Sequence, residues 1–87
     1  MTTFLKIRRD LRRGHFKLTI HARERMDDRS IFEGDIINVG LSCFDQFYSK
    51  KHESYNFTGY ALDERVVTVA CDYDNETLII TMFLEGD

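Results

Sequence analysis

The hydrophobic periodicity of the chain changes once, near residue 42, and this change limits the folds that the chain can adopt. Before it, apolar residues recur every three or four positions, the spacing of one face of an α-helix. After it, they alternate with polar residues or form runs rich in β-branched residues, which is typical of strands. Helices followed by strands predict an α+β domain in which two to three N-terminal helices pack on an antiparallel sheet of three to four strands.

Length and composition favour one small globular domain. The 87 residues are enough for a single domain over 1–87, and the 43% of hydrophobic residues are enough for its core. No apolar run approaches the ~18 residues of a membrane span, and we see no signal-peptide pattern. We therefore expect a cytoplasmic protein whose two cysteines are reduced and act as small buried hydrophobic residues.

Three helices are predicted from spacing and from signals at their starts. The first covers 3–13, where apolar residues are three and four apart. The second runs from about 20 to 29, with Thr19 as its N-cap. The third starts after Ser30, the first residue of a Ser-x-x-Glu capping box, and runs to about 41. Its inward side is predicted to carry Phe32, Ile36, Ile37 and Val39 or Gly40.

Four strands are predicted after the helices, at 43–51, 55–62, 66–73 and 77–84, with polar turns between them. The last of these strands is apolar on both faces, which indicates a central position in the sheet. Residues 16–20 also alternate and predict a short strand or an extended segment before the second helix.

Charge is unevenly distributed along the chain, whose net charge is −3. Residues 1–29 hold nine of the twelve Lys and Arg against four acids, a balance of +5, whereas residues 30–87 hold three against eleven, a balance of −8. This asymmetry indicates a polar partner or self-association through opposite faces. It argues against a simple nucleic-acid binder, because such a domain is normally basic as a whole.

The second predicted helix carries cations along one side. His21, Arg25 and Arg29 follow at intervals of four and form one stripe, beside an apolar stripe of Ala22 and Met26. A neutral imidazole next to two guanidinium groups can accept a proton while the arginines hold an anion. This suits cleavage of a phosphodiester by an internal 2′-OH, which needs a base, an acid and charge stabilisation but no metal. The alternative, more common for such spacing, is a structural network with nearby aspartates.

No metal or other cofactor is expected. The histidines and cysteines show neither Cys-x-x-Cys nor His-x-x-x-His spacing, and the chain has no Gly-rich phosphate loop. Neither cysteine has the local signature of a catalytic nucleophile.

Two segments of the chain resemble a bacterial family of domains of unknown function. "LTIHARERMDDRSIFEGDI" follows that family's pattern His-Ala-x-x-Arg-Met-x-x-Arg-x-Ile-x-x-x-Asp-Ile, and "TGYALDERVVTVACDYDNETLIITMF" resembles its second half. Together they cover roughly residues 16–83. The family is similar to BrnT-like and RelE-like toxins, small ribonucleases with helices packed on an antiparallel sheet. The resemblance implies a RelE-like or barnase-like two-layer fold, an endoribonuclease of toxin type, and RNA and an antitoxin protein as partners.

The resemblance also implies a set of functional residues. The catalytic residues would be His21, Arg25, Arg29, Arg65 and Thr81. His21 would serve as general base or acid, the arginines would hold the scissile phosphate, and Thr81 would assist by hydrogen bonding. Arg23 and Tyr60 are predicted to bind the substrate. Since one phosphate reacts, His21, Arg65 and Thr81 are expected to converge on one open cleft.

The alternative function is a non-catalytic protein-interaction module that kept the fold. Two features favour it: the acidic second half would repel RNA unless its acids face away from the site, and Asp27 and Asp28 lie between the arginines of the motif. The basic side of the second helix would then dock an acidic protein.

Overall fold

The computed structural model describes residues 1–86 and confirms the α+β class. The helices are α1 (Thr3–Arg13), α2 (Ile20–Arg29) and α3 (Glu33–Ser42). The strands are β1 (Phe16–Leu18), β2 (Asp45–Ser49), β3 (Ser54–Tyr60), β4 (Val66–Tyr73) and β5 (Thr77–Leu84). The bounds of α1 and α2 agree with the prediction, as do those of β4 and β5.

The sheet differs from the prediction of three to four antiparallel strands. It has five strands in the order β1-β5-β4-β3-β2, and β1 pairs with β5 in parallel, so the sheet is mixed. The strands β2 to β5 form the predicted antiparallel meander, and β5 is internal, as its two apolar faces indicated. The sequence did not predict the pairing of β1, because its partner strand lies at the other end of the chain. A segment of three residues contains no pattern that indicates a parallel neighbour.

Helices α1 and α3 cover one face of the sheet and form the core with it. Ile7, Leu11 and Ile36 from these helices are fully buried against strand residues such as Phe57 and Val69. Burying side chains of this size stabilises the domain by about 1.5–3 kcal/mol each. The face of β3 that contains Phe57 is therefore its inward face.

The start of α3 corrects a second prediction. Ser30 does not cap α3; it ends α2 in the left-handed conformation, with φ 51°. The N-cap position of α3 belongs to Phe32, whose backbone N–H donates to the Asp35 carboxylate at 2.8 Å. Phe32, predicted to face inward, is 68% exposed. The chain turns here because Ile31 enters the core, which leaves Ser30 and Phe32 outside.

Asp35 connects α3 to the turn between β3 and β4. Its side chain is buried, and its second carboxylate oxygen accepts a hydrogen bond from Leu62 N at 2.9 Å. The two backbone donors satisfy a buried charge that would otherwise be costly. This carboxylate therefore fixes where α3 begins relative to the sheet.

Both cysteines are free, as predicted. Cys71 is fully buried in the core, where burial raises the pKa of its thiol, so it is neither a nucleophile nor a thiolate ligand. Cys43 is only half-buried. None of the helices in residues 1–86 is both long and apolar enough to cross a membrane.

The second face of the sheet is not covered by α1 and α3, and we call it the open face. It follows from the register of β2 to β5, in which alternate residues point away from the core. Its members are Phe47, Ser54, Asn56, Thr58, Thr68, Ala70, Thr81 and Phe83, and all of them line surface cavities there. Two exposed aromatic rings thus lie on this face of the sheet among small polar side chains, of which Ser54 and Asn56 are buried.

Candidate functional site

A bulge in β5 shapes one end of the open face. Thr81 pairs with Ala70, but the next pair is Ile79 with Cys71, so Ile80 is an extra residue on β5. A bulge bends its strand and changes the direction of nearby side chains, and such bulges are common beside functional sites. Here it places Thr81 on the open face while Ile79 enters the core.

Thr19 attaches the start of α2 to this bulge. Its hydroxyl donates to Ile80 O at 2.8 Å and accepts from Ala22 N at 3.0 Å, and its backbone N donates to Ile79 O at 3.1 Å. The same residue therefore caps the helix and fixes the helix to β5. His21, in the first turn of α2, is held beside the open face as a consequence.

Replacing Thr19 with alanine is expected to destabilise the domain by about 1–2 kcal/mol, because both the cap and the bond to the bulge are lost. Urea unfolding measures the change. Thr2→Ala is the matched control, because Thr2 caps α1 through Leu5 N at 3.2 Å and has no bond to the bulge. Only Thr19→Ala should shift the NMR signals of His21 and Thr81. Unchanged signals would show that this hydroxyl does not position α2.

A cavity of about 290 Å³ lies between the start of α2 and the open face. It is lined by His21, His52, Ser54, Asn56, Ala70, Ile80, Thr81 and Phe83. Two histidines from distant parts of the chain thus line one cavity. Imidazoles are the side chains most often used for proton transfer near neutral pH, so a pair of them can supply both an acid and a base.

Thr81 contributes a hydroxyl to this cavity that lacks a partner. Its Oγ1 is buried and makes no hydrogen bond to any of residues 1–86. Such an atom is uncommon in a folded protein, because leaving it unsatisfied costs about 1–3 kcal/mol. Because Thr81 lines the same cavity as the two histidines, this buried hydroxyl can bind a polar ligand that reaches the wall of the cavity.

Arg25 lies next to His21, as the predicted stripe requires. The distance from Arg25 Nε to His21 Nε2 is 3.4 Å, with the guanidinium as donor and the imidazole as acceptor. In this contact the lone pair of His21 Nε2 is taken up by the guanidinium N–H. Arg29 is two turns further along, about 12 Å from His21 along the helix axis, and is half-buried.

Arg65 does not reach the cavity. Its guanidinium donates to the carbonyls of Arg29 and Ser30, and to the Asp63 carboxylate at 2.7 Å. It therefore caps the C-terminal end of α2, where free carbonyls and the helix dipole attract a cation. The hydrogen bonds from Arg65 lower the pKa of Asp63 below its usual value. His21 is at the opposite end of the same helix, so the two residues do not converge.

The sequence profile of the family described as "Domain of unknown function (DUF4258)" matches residues 18–83, from the end of β1 into β5. The chain belongs to the DUF4258 family. The matched segment contains both imidazoles and the bulge, so the cavity lies wholly within the DUF4258 domain. Comparison with curated proteins and with solved structures finds no match.

The two predicted substrate-binding residues of this DUF4258 domain lie away from the cavity. Arg23 is exposed and borders a different cavity, which also contains Asp27. The Tyr60 ring lies 5.3 Å from that of Phe44, at the far end of β3. Of the predicted site residues, His21 and Thr81 line the cavity, and Arg25 contacts His21. The cavity is not lined by Arg23, Arg29, Arg65 or Tyr60.

His52 was not predicted as a functional residue of the DUF4258 domain. It lies in the turn between β2 and β3, with its backbone N bonded to Ser49 Oγ at 3.3 Å. It has no helical or motif spacing to His21, and only the folded sheet places the two together. Among residues 1–86, no group of three His, Cys, Asp or Glu side chains is arranged to hold a metal ion.

Proposed function

We propose that this DUF4258 domain is an endoribonuclease of toxin type that cleaves RNA by internal 2′-OH attack without a metal cofactor. One observation carries the proposal: His21 and His52 line a single cavity that also contains the unpartnered hydroxyl of Thr81. The resemblance of the motif helix to BrnT-like and RelE-like ribonuclease toxins supports the same activity. An antitoxin protein would be its second partner.

The reaction uses the two imidazoles as base and acid. The Arg25 guanidinium turns from His21 Nε2 to the phosphate, and His21 accepts the proton of the 2′-OH on the freed Nε2 as O2′ attacks the adjacent phosphorus. The P–O5′ bond breaks, and His52 donates a proton to the leaving O5′. The products are a 2′,3′-cyclic phosphate and a 5′-hydroxyl. The Arg25 guanidinium and the Thr81 hydroxyl stabilise the charge on the non-bridging oxygens.

The acidic residues of the second half of the chain, through residue 86, do not line the cavity in which the reaction takes place. None of the described residues that line the cavity is acidic. Asp27, which lies between the arginines of the motif, borders the cavity of Arg23 instead. Asp28 is exposed to solvent, where its charge is screened. The phosphate therefore meets two histidines, with the Arg25 guanidinium beside His21, although the protein as a whole is acidic.

The proposal is tested by the requirement for a 2′-OH. Purified protein with excess EDTA is expected to cleave a labelled single-stranded RNA and to leave the DNA of the same sequence intact, because DNA lacks the nucleophile. Gel electrophoresis measures both. Equal cleavage of the two strands would indicate another mechanism. Cleavage of neither would favour the non-catalytic interaction module.

Thr81→Val is expected to change stability and activity in opposite directions. Valine has nearly the same shape and removes the unpaired hydroxyl, so the free energy of unfolding should stay the same or rise by up to about 1 kcal/mol. RNA cleavage should fall about tenfold or more, because the phosphate loses a hydrogen bond. Urea unfolding and cleavage rates measure the two effects. A clear loss of stability would mean that the hydroxyl has a structural role.

A further inference from the structure

A second cavity, of about 610 Å³, adjoins the first on the open face. The two share His52, Asn56 and Phe83, so they form one continuous depression across the sheet. We propose that the second cavity binds an unpaired nucleobase next to the scissile phosphate, and that it prefers a base with an exocyclic amino group. This inference rests on the proposed ribonuclease function and names the substrate feature that the same site selects.

Two phenylalanines provide flat surfaces for a base. The Phe47 and Phe83 side chains are 47% and 49% exposed, although they lie on a sheet face where burial would be favourable. Phe47 is on β2 and Phe83 on β5, so they flank the cavity from opposite sides. Exposed rings on a sheet are the usual means by which proteins stack unpaired bases of single-stranded RNA.

Polar side chains form the floor between the rings. Thr58 and Thr68, neighbours on β3 and β4, share a hydrogen bond of 2.7 Å between their hydroxyls. Asn56, next along β3, lines both cavities. These groups already make hydrogen bonds within the domain, the Asn56 amide to Ser54 O and Ser54 Oγ at 3.1 Å each. Their remaining polar atoms would lose water if a partner protein covered them with apolar side chains, which is costly. A nucleobase has an apolar face and a polar edge, and it suits the alternation of ring and hydroxyl.

Charge changes sign from one end of the open face to the other. His21 and Arg25 lie at the bulge, whereas Asp45 and Glu85 line the far side of the second cavity. Thr81 and Glu85 are four residues apart, about 13 Å along an extended chain. A phosphate would be attracted to the first end and repelled from the second. A nucleotide has the complementary arrangement, with an anionic phosphate at one end and a neutral base at the other.

The two carboxylates also select among bases. A carboxylate accepts hydrogen bonds and donates none, so it suits the N4 amino group of cytosine or the N6 amino group of adenine. Uracil presents O4 at the equivalent position, and two acceptors repel each other. The cavity is therefore expected to favour cytidine or adenosine over uridine, and to require a base whose pairing edge is free.

Binding of short 2′-O-methyl oligonucleotides tests the inference separately from catalysis, since the methyl group blocks attack by O2′. Fluorescence anisotropy is expected to show binding of labelled oligocytidylate several-fold tighter than that of oligouridylate. Phe83→Leu and Phe47→Leu should each weaken oligocytidylate binding about tenfold through lost stacking. Phe32→Leu is the matched control, because that ring is exposed away from the open face. The double substitution Asp45→Asn and Glu85→Gln should abolish the preference over uridine.

The outcomes separate the two proposals. Oligocytidylate binding that is unchanged in Phe83→Leu and Phe47→Leu, equal binding of the two oligonucleotides, or no binding at all would overturn the nucleobase site. If binding and its preference are as expected but unmodified RNA is not cleaved, the nucleobase site stands and the ribonuclease proposal fails. If RNA is cleaved while the phenylalanine variants bind as the wild type does, the ribonuclease proposal stands and the nucleobase site is overturned.

Discussion

Replacing His21 with alanine is expected to lower the rate of RNA cleavage by about 10²–10⁴-fold, the usual contribution of a general acid or base. His21 is exposed, so its removal should leave the free energy of unfolding within about 0.5 kcal/mol of the wild type. Single-turnover cleavage of a labelled RNA measures the rate. A loss of activity at unchanged stability is the expected result.

His15→Ala is the matched control for this substitution. His15 is also exposed and lies between α1 and β1, outside both cavities of the open face. Its replacement removes an imidazole without touching the proposed site, so cleavage should be unchanged. If His21→Ala cleaves RNA within a few-fold of the wild-type rate, His21 is not the base.

Gly40→Ala is expected to destabilise the domain by about 2–3 kcal/mol, a large part of the ~5–15 kcal/mol that holds a small domain together. A Cβ at this position of α3 would lie 2.7 Å from Arg12 N and 2.8 Å from Leu11 Cβ. The first contact is with backbone, so α1 and α3 would have to separate. Urea unfolding measures the loss as a lower midpoint.

Gly34→Ala in the same helix is the control. Its Cβ would approach Leu62 Cδ1 at 3.3 Å, the end of an exposed and flexible side chain that can move aside. Since alanine favours the helix over glycine by about 0.5–1 kcal/mol, this variant should be as stable as the wild type or more so. If Gly40→Ala is also neutral, the close packing of α1 on α3 is not essential for stability.

Local signals predicted most of the elements correctly. Thr19 marked the start of α2 because an N-cap needs only a hydroxyl and the residues that follow it. Ser30 was wrongly predicted to cap α3, because a capping box is also a local pattern, of only four residues. The burial of Ile31 decided where the chain turned. Asp35 supplied the real cap, and the sequence gives no sign that its second oxygen would bind Leu62.

The candidate site was predictable only in its helical part. His21 and Arg25 are one turn apart, so their contact follows from helix geometry. Thr81 entered by resemblance, and its place beside His21 depends on the bulge at Ile80, which apolar alternation does not reveal. His52 could not be inferred, because the register of β2 and β3 brings it to the open face.

Arg65 shows why a charged residue near a motif is a weak indicator of function. The resemblance predicts it to hold the scissile phosphate, yet its guanidinium binds the carbonyls at the end of α2. Its contribution is to fix the position of the helix that carries His21. A role in positioning and a role in phosphate binding give the same sequence pattern, and only the folded contacts distinguish them.

His21 and His52 are proposed to act together on one phosphate in the cavity at the bulge. A double-mutant cycle on the cleavage rate tests it most directly. Residues that act as one unit lose nearly the full effect when either is removed, so His21→Ala combined with His52→Ala should cleave RNA about as slowly as the slower single variant. Losses that multiply in the double variant, or a wild-type rate in either single variant, would contradict the claim.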